Sequence, residues 1–185
     1  LELQAITYNA ATSACEKGSR WVSALGLFCA ASQRCAELDL ISYNSILSAC
    51  EKGQQWDFAL VLLDGIWLRS LTRDMVTCNA AISACEKGHQ WQHALQLARE
   101  LERGGAELGT ITFNAMISAC VASRHWEKAL RLWRRSTRKG LEADVVSYAA
   151  GISACEKGQQ WVQALDLLDE LSLVAIELNI VSLNS

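Results

Sequence analysis

The sequence predicts an all-α fold, a right-handed α-solenoid of tandem helix-turn-helix (αα-hairpin) repeats, and three observations carry that prediction. The string Ser-Ala-Cys-Glu-Lys-Gly occurs at Ser13–Gly18, Ser48–Gly53, Ser83–Gly88 and Ser153–Gly158, with a degenerate copy, Ser-Ala-Cys-Val-Ala-Ser, at Ser118–Ser123. The copies lie 35 residues or a multiple of 35 apart, and Trp21, Trp56, Trp91, Trp126 and Trp161 keep the same register. A fixed period of that size marks one supersecondary unit stacked in a line. Within each period two apolar stripes recur at helical spacing, and the chain contains no proline to interrupt them.

The first helix of a unit is read from Tyr43, Ile46, Leu47 and Cys50, which fall at i, i+3, i+4 and i+7. Ser42 precedes the stripe as a candidate N-cap, and Thr7, Thr77, Thr112 and Ser147 hold the equivalent place elsewhere. Gly53 is the expected left-handed stop, with Lys52 in the last turn favoured by the helix dipole. The second helix follows from Trp56, Ala59, Leu60 and Leu63, and the same pattern restarts at Trp21, Trp91, Trp126 and Trp161. The units expected are 5–39, 40–74, 75–109, 110–144 and 145–179. Residues 1–4 then end a preceding unit and 180–185 start a sixth, so the chain reads as a segment of a longer array.

In such an array function is expected on a surface of equivalent side chains. A net charge of −3 argues against binding nucleic acid through bulk positive potential, while leaving room for placed lysines. Arg124, Lys128, Arg131, Arg134, Arg135, Arg138 and Lys139 make the fourth unit strongly basic. That run reads first as a solvated helix face and second as a patch for phosphate or a partner. No apolar run is long enough to span a membrane. Cys15, Cys50, Cys85, Cys120 and Cys155 recur once per unit, and helices packed about 10 Å apart hold such residues too far apart for disulfides. They read as small buried thiols, and the periodic tryptophans as core.

Catalytic and metal chemistry finds little support. Gly88 separates Cys85 from His89 and His93, which breaks the shared helix face a metal would need. His125-Trp126-Glu127 matches half of a zinc deaminase signature, but the cysteine half is missing and Trp126 belongs to the periodic set. No cofactor and no enzymatic activity are expected.

A polar stripe accompanies the apolar one. Asn44, Ser48 and Glu51 lie at i, i+4 and i+7, and Asn9, Asn79 and Asn114 repeat the early amide. Asparagine is a poor helix former, so its recurrence implies either hydrogen bonds between units or amides facing a groove, where each can donate and accept. The units also share an opening, in the forms Ile6-Thr7-Tyr8-Asn9, Ile41-Ser42-Tyr43-Asn44, Val76-Thr77-Cys78-Asn79, Ile111-Thr112-Phe113-Asn114 and Val146-Ser147-Tyr148-Ala149, with Val181-Ser182-Leu183-Asn184 beginning the next. This two-helix unit resembles the pentatricopeptide repeat along the whole chain.

The resemblance implies a sequence-selective scaffold for single-stranded RNA that reads one base per repeat. It pairs the fifth residue of each unit with the last as base readers. Here those are Asn9 with Asp39, Asn44 with Asp74, Asn79 with Gly109, Asn114 with Asp144, and Ala149 with Asn179. In the family Asn with Asp favours uracil, which implies a uridine- and pyrimidine-rich target of the form 5′-U-U-pyrimidine-U-N-3′. Ile6, Ile41, Val76, Ile111, Val146 and Val181 are the implied base-sandwiching residues, and Lys17, Lys52, Lys87 and Lys157 suit phosphate contacts. The same resemblance implies RNA processing in a plastid or mitochondrion (chloroplast or mitochondrial organelle) and other RNA-processing proteins as further partners. The family's proline before the last residue is absent throughout. Gly109, Ala122 and Ala149 weaken the pattern in units three to five. The alternatives are a peptide- or protein-binding array like the tetratricopeptide proteins, whose period is 34 residues, and a structural array that has lost RNA binding or a part of an RNA-processing enzyme.

Overall fold

The computed structural model describes residues 2–18, 20–33, 39–68, 75–141 and 143–183, with side chains described within 7–18, 20–33, 39–66, 75–141 and 143–172. Ten helices and no strand occur among the described residues. They are α1 (Glu2–Lys17), α2 (Trp21–Gln33), α3 (Leu40–Lys52), α4 (Trp56–Leu68), α5 (Met75–Lys87), α6 (Trp91–Arg103), α7 (Thr110–Ala122), α8 (Trp126–Arg138), α9 (Val145–Lys157) and α10 (Trp161–Leu183). Odd helices carry the first apolar stripe and even helices the second, so the chain is a helical-repeat solenoid of hairpins. Two compact units divide it, Leu1–Ala106 with α1 to α6 and Glu107–Ser185 with α7 to α10. No helix among the described residues is long and apolar enough to cross a membrane.

In the first unit the odd helices stack on one another, α1 on α3 and α3 on α5, while α2 and α4 each pack against their own partner and the next odd helix, and α6 packs against α5. The stripe behaves as its spacing requires: Tyr43, Ile46, Leu47 and Cys50 are buried, with Ala59, Leu63 and Ile66 from α4. In the second unit Phe113, Met116, Ile117 and Cys120 of α7 meet Ala129, Leu130 and Trp133 of α8. Trp133 is larger than its counterparts Leu63 and Ala98, and Gly151 on α9 makes the room: a Cβ there would stand 3.1 Å from the indole. The recurring thiols are free, and Cys50, Cys85, Cys120 and Cys155 are fully buried. Burial pushes Cys50 and Cys120 up to about 11 and Cys85 up to about 12, so they stay protonated packing groups at neutral pH.

Three local expectations are corrected. Gly53 has φ −83° and Gly158 φ −88°, ordinary right-handed values, and the left-handed residue is the next one, Gln54, His89, Arg124 or Gln159. Glycine is required for a different reason. A Cβ on Gly53 would lie 2.5 Å from the Trp21 ring, one on Gly158 would lie 2.5 Å from Trp126, and Gly88 meets Trp56 in the same way. Trp21, Trp56 and Trp126 therefore rest against the last turn of the next odd helix, half-buried rather than deep in a core. Trp161, which has no such glycine over it, is 71% exposed.

The N-cap is the second correction. Asp39, not Ser42, caps α3, its Oδ1 accepting from the Ser42 N–H at 2.9 Å, and Asp144 caps α9 through the Ser147 N–H at 2.7 Å. Ser42, Thr77, Thr112 and Ser147 lie inside the first turn and are buried. The third correction is α10, which continues past 179 to Leu183. The α6 and α8 hairpins end with Gly105 at φ 85° and Gly140 at φ 72°, whereas the fifth unit has Ala175 at that register and nothing to stop the helix.

The tryptophan contact makes a discriminating pair of substitutions. Gly53→Ala should destabilise the chain by about 1–3 kcal/mol through overpacking. Gly65→Ala, in α4 with nothing within 4 Å of its Cβ, should stabilise it by about 0.4–1 kcal/mol. Urea unfolding midpoints of the two variants should move in opposite directions.

Candidate functional site

The glutamate, serine and lysine of the recurring string form a ladder between consecutive hairpins. Ser48 Oγ donates to Glu16 Oε1 at 2.8 Å and Lys52 Nζ lies 3.1 Å from the same oxygen. One hairpin on, Ser83 Oγ donates to Glu51 Oε1 at 3.1 Å and Lys87 Nζ at 2.8 Å. In the second unit Val121 stands where the ladder needs a carboxylate, and Lys157 instead meets its own neighbour Glu156 at 3.3 Å. Lys52, Lys87 and Lys157 are thus each beside a glutamate, and all remain exposed, as does Lys17.

One turn before this ladder the amides and carboxylates meet. Asn9 Nδ2 donates to Asp39 Oδ1 at 3.3 Å, and Asn114 Nδ2 donates to Asp144 Oδ1 at 3.2 Å. The stacking of odd helices brings these residues together across 30 positions of sequence. Asp144 Oδ1 also accepts from the Ser147 N–H and from its hydroxyl at 2.8 Å, so three donors converge on one oxygen and leave Oδ2 for another. Asp39 repeats the set with Ser42. The Ser42 hydroxyl also reaches Asn9 Oδ1, and with one proton it donates to only one of the two acceptors at a time. Thr77 Oγ1 donates to Asn44 Oδ1 at 2.6 Å, which leaves the Asn44 NH2 turned away from the threonine.

The electrostatics follow from these bonds. At Asp144 the hydroxyl and N–H of Ser147 hold the carboxyl below the usual carboxylate range; burial opposes them, and the Asn114 amide adds a smaller lowering. At Asp39 burial is the largest influence and raises the value, but the bonds from Ser42 and Asn9 together outweigh it and leave it lowered. Both side chains are therefore ionised and acceptor-only at neutral pH.

Beside the amides stand large apolar side chains that the core does not use. Ile41 is 66% exposed, Val76 62%, Ile111 73% and Val146 60%. A single exposed aliphatic residue is ordinary, but one recurring at the same register beside a polar pair is a built surface. The remaining sequence candidates fall as follows. Asp74 and the side chains of Ile6, Asn179 and Val181 lie outside the described residues. Asn79 is half-buried on α5 in the first unit, and Gly109 caps α7 without a side chain. Ala149 is exposed and offers no amide.

Sequence reasoning missed the capping role of Asp39 and Asp144, although an Asp three residues before Ser is a legible cap signal. In the basic fourth unit Arg131 pairs with Glu127 at 3.6 Å and Arg134 Nη2 donates to Gln163 Oε1 at 3.4 Å. Arg135 and Lys139 lie 5.9 and 5.8 Å from the Phe113 ring centroid. Among the described residues no three His, Cys, Asp or Glu side chains gather to hold a metal.

Comparisons with known proteins bear on this geometry. The model of the PPR repeat matches residues 41–69 and 76–105, and that of the PPR repeat family matches 108–157, more than half of the chain together. Among solved structures, the pentatricopeptide repeat protein PPR10 in complex with an 18-nt psaJ RNA element aligns with a TM-score of 0.80 at 18% identity, over 92% of this chain and 25% of that one. PPR10 from maize without a named RNA gives 0.72 at 22% identity over 92% and 24%. The PPR domain of Arabidopsis thaliana protein-only RNase P 1, in complex with tRNA, gives 0.77 at 11% identity over 93% and 91%. The chain spans about a quarter of the length of PPR10. A comparison with curated proteins gives no match.

The cap predicts a pH signature. A depressed carboxyl contributes stability above its unfolded value and loses it as pH falls through the folded one. Asp144→Ala should cost about 0.5–2 kcal/mol at pH 7, and the difference from wild type should vanish once acidification protonates Asp144. Denaturant titrations at neutral and strongly acidic pH check this.

Proposed function

The chain belongs to the pentatricopeptide repeat family, and we propose that it is a sequence-selective scaffold for single-stranded RNA, each complete Asn–Asp pair reading one base. The observation that carries this reading is the hydrogen-bonded pair flanked by an exposed aliphatic residue, Asn114 with Asp144 beside Ile111 and Val146 being the fullest case. RNA named with PPR10 and tRNA named with RNase P 1 support the same partner class.

The chemistry is specific. With Oδ1 occupied, Asp144 Oδ2 can accept a further hydrogen bond, and the second N–H of Asn114 can donate. Uracil supplies the matching edge, an N3–H between two carbonyls. Cytosine presents an acceptor at N3, which faces the carboxylate without a proton. Leaving such a group unpaired costs about 1–3 kcal/mol. Exposed Ile111 and Val146 supply apolar faces for the ring, at roughly 25 cal/mol per Å² removed from water.

The lysines act on phosphates in this reading. Exposed ion pairs such as Lys87 with Glu51 are worth about 0–1 kcal/mol, so a phosphate can displace the glutamate. Glu51→Gln should therefore tighten RNA binding and steepen its salt dependence, by about 0.7 in the log–log slope for one added phosphate contact. The target is uridine- and pyrimidine-rich, the setting RNA metabolism in a plastid or mitochondrion, and other RNA-processing proteins are further partners.

Competition binding with single-base variants of one uridine-rich oligomer tests the assignment. Asp144→Ser should move the preference of the fourth position from uracil to cytosine, because a hydroxyl can donate to N3. Ala149→Asn should create selectivity at the fifth position. An unchanged preference in the Asp144→Ser chain contradicts one base per repeat.

A further inference from the structure

The basic run on α8 is a charge arrangement that neither the packing nor the Asn–Asp pairs use. Between Arg124 and Lys139 seven of the chain's 17 lysines and arginines stand against one carboxylate, Glu127, in a chain of net charge −3. Ala129, Leu130, Trp133 and Ser136 form the buried side of α8, which packs on α7 and α9. At about 100° per residue, Lys128, Arg131, Arg134, Arg135, Arg138 and Lys139 fall on the opposite side, within an arc of about 140°. All of these but the part-buried Lys128 are exposed. Arg131 meets Glu127 only in an exposed pair at 3.6 Å, and Arg134 donates to the neutral amide of Gln163. Asp166 and Glu170 of α10 line the groove beside Arg134, which marks where the basic surface ends. Like charges three and four positions apart, such as Arg131 with Arg135 and Arg134 with Arg138, destabilise a helix. In α6 that cost is avoided by setting Arg99 and Arg103 among Glu100 and Glu102.

We propose that the outward face of α8 binds the phosphate backbone of a base-paired RNA stem, with Arg131, Arg134 and Arg138 as its central contacts. Three features select this occupant. Five of the seven cations are arginines, whose planar guanidinium takes a phosphate through two parallel hydrogen bonds. No large apolar side chain of α8 is exposed. The face therefore lacks both the platform on which unpaired bases stack and the apolar anchors of a protein interface. A stem needs neither, because its bases are paired inside and it is recognised through its backbone and shape. The face also points away from α7 and α9, and hence from Asn114 and Asp144, so a stem here and a single strand there occupy different surfaces. The choice of RNA rests on the base-reading function proposed for the chain, whereas the surface, the residues and the form of the RNA are separate from it.

Fluorescence anisotropy with the whole 185-residue chain tests it, using a blunt RNA stem, a uridine-rich single strand and the two joined. Wild type should bind the stem, and should bind the joined RNA about tenfold more tightly than the single strand. Arg131→Gln, Arg134→Gln and Arg138→Gln combined should weaken stem binding about tenfold and flatten its log–log salt slope by roughly 2 to 3. The same variant should keep its affinity for the single strand. Arg138→Gln alone, with a loss of about threefold, carries the test if circular dichroism finds the triple variant unfolded. Arg99→Gln with Arg103→Gln, the α6 cations set among glutamates, should leave stem binding unchanged. A wild type that binds the stem but not the single strand upholds this proposal and contradicts the base reading. The proposal is overturned by a wild type that does not bind the stem, or by a folded triple variant that binds it like wild type. Displacement of the stem by poly-glutamate as readily as by unlabelled stem also overturns it, in favour of an acidic protein partner.

Discussion

The contact between one odd helix and the next is the constraint on which the rest depends. A single hairpin cannot bury both of its apolar stripes, so its stability comes from the neighbour. That contact is written almost entirely in the recurring six-residue string. Ala49 and Cys50 are small enough for close approach, and Gly53 admits the Trp21 ring. Ser48 and Lys52 both reach back to Glu16. The ion pair adds little energy in water. Its value is in fixing register, since a slip of one residue would unpair the serine and drive a side chain into the indole.

Register is what the candidate site uses. Asn9 and Asp39, or Asn114 and Asp144, come within 3.3 Å only because the odd helices stack in one alignment. The aspartate then performs two tasks with one side chain. Its Oδ1 caps the helix and holds the amide, which immobilises the carboxylate and keeps it ionised, and Oδ2 is left for a ligand. If the proposed reading holds, a base-reading group that is also a cap loses little freedom on binding.

Much of this is legible in the sequence, and the parts that are not share a cause. Helix positions follow from period and apolar spacing, because each stripe reports burial directly. Local habit assigns Gly53 to a left-handed stop, but its role is set by Trp21, 32 positions away. The lysines look like free cations because Lys52 and its partner Glu16 are separated by 36 residues. Ser42 looks like a cap since it borders the stripe, while the actual cap, Asp39, reads only as a member of a distant pair. In each case a contact between units overrides a local rule. The exposed Ile41, Val76, Ile111 and Val146 are the opposite case, where the family's pattern and the exposure point to the same surface.

The central claim is that Asn114 and Asp144 act on one base as a unit, and a double-mutant cycle on RNA affinity tests it most directly. Asn114→Ala, Asp144→Ala and the double variant would be titrated with a uridine-rich strand and with the same strand carrying adenine at the fourth position. The account predicts a coupling of about 1 kcal/mol or more for uracil and near zero for adenine. Additive losses on both strands, or equal coupling on both, would contradict it.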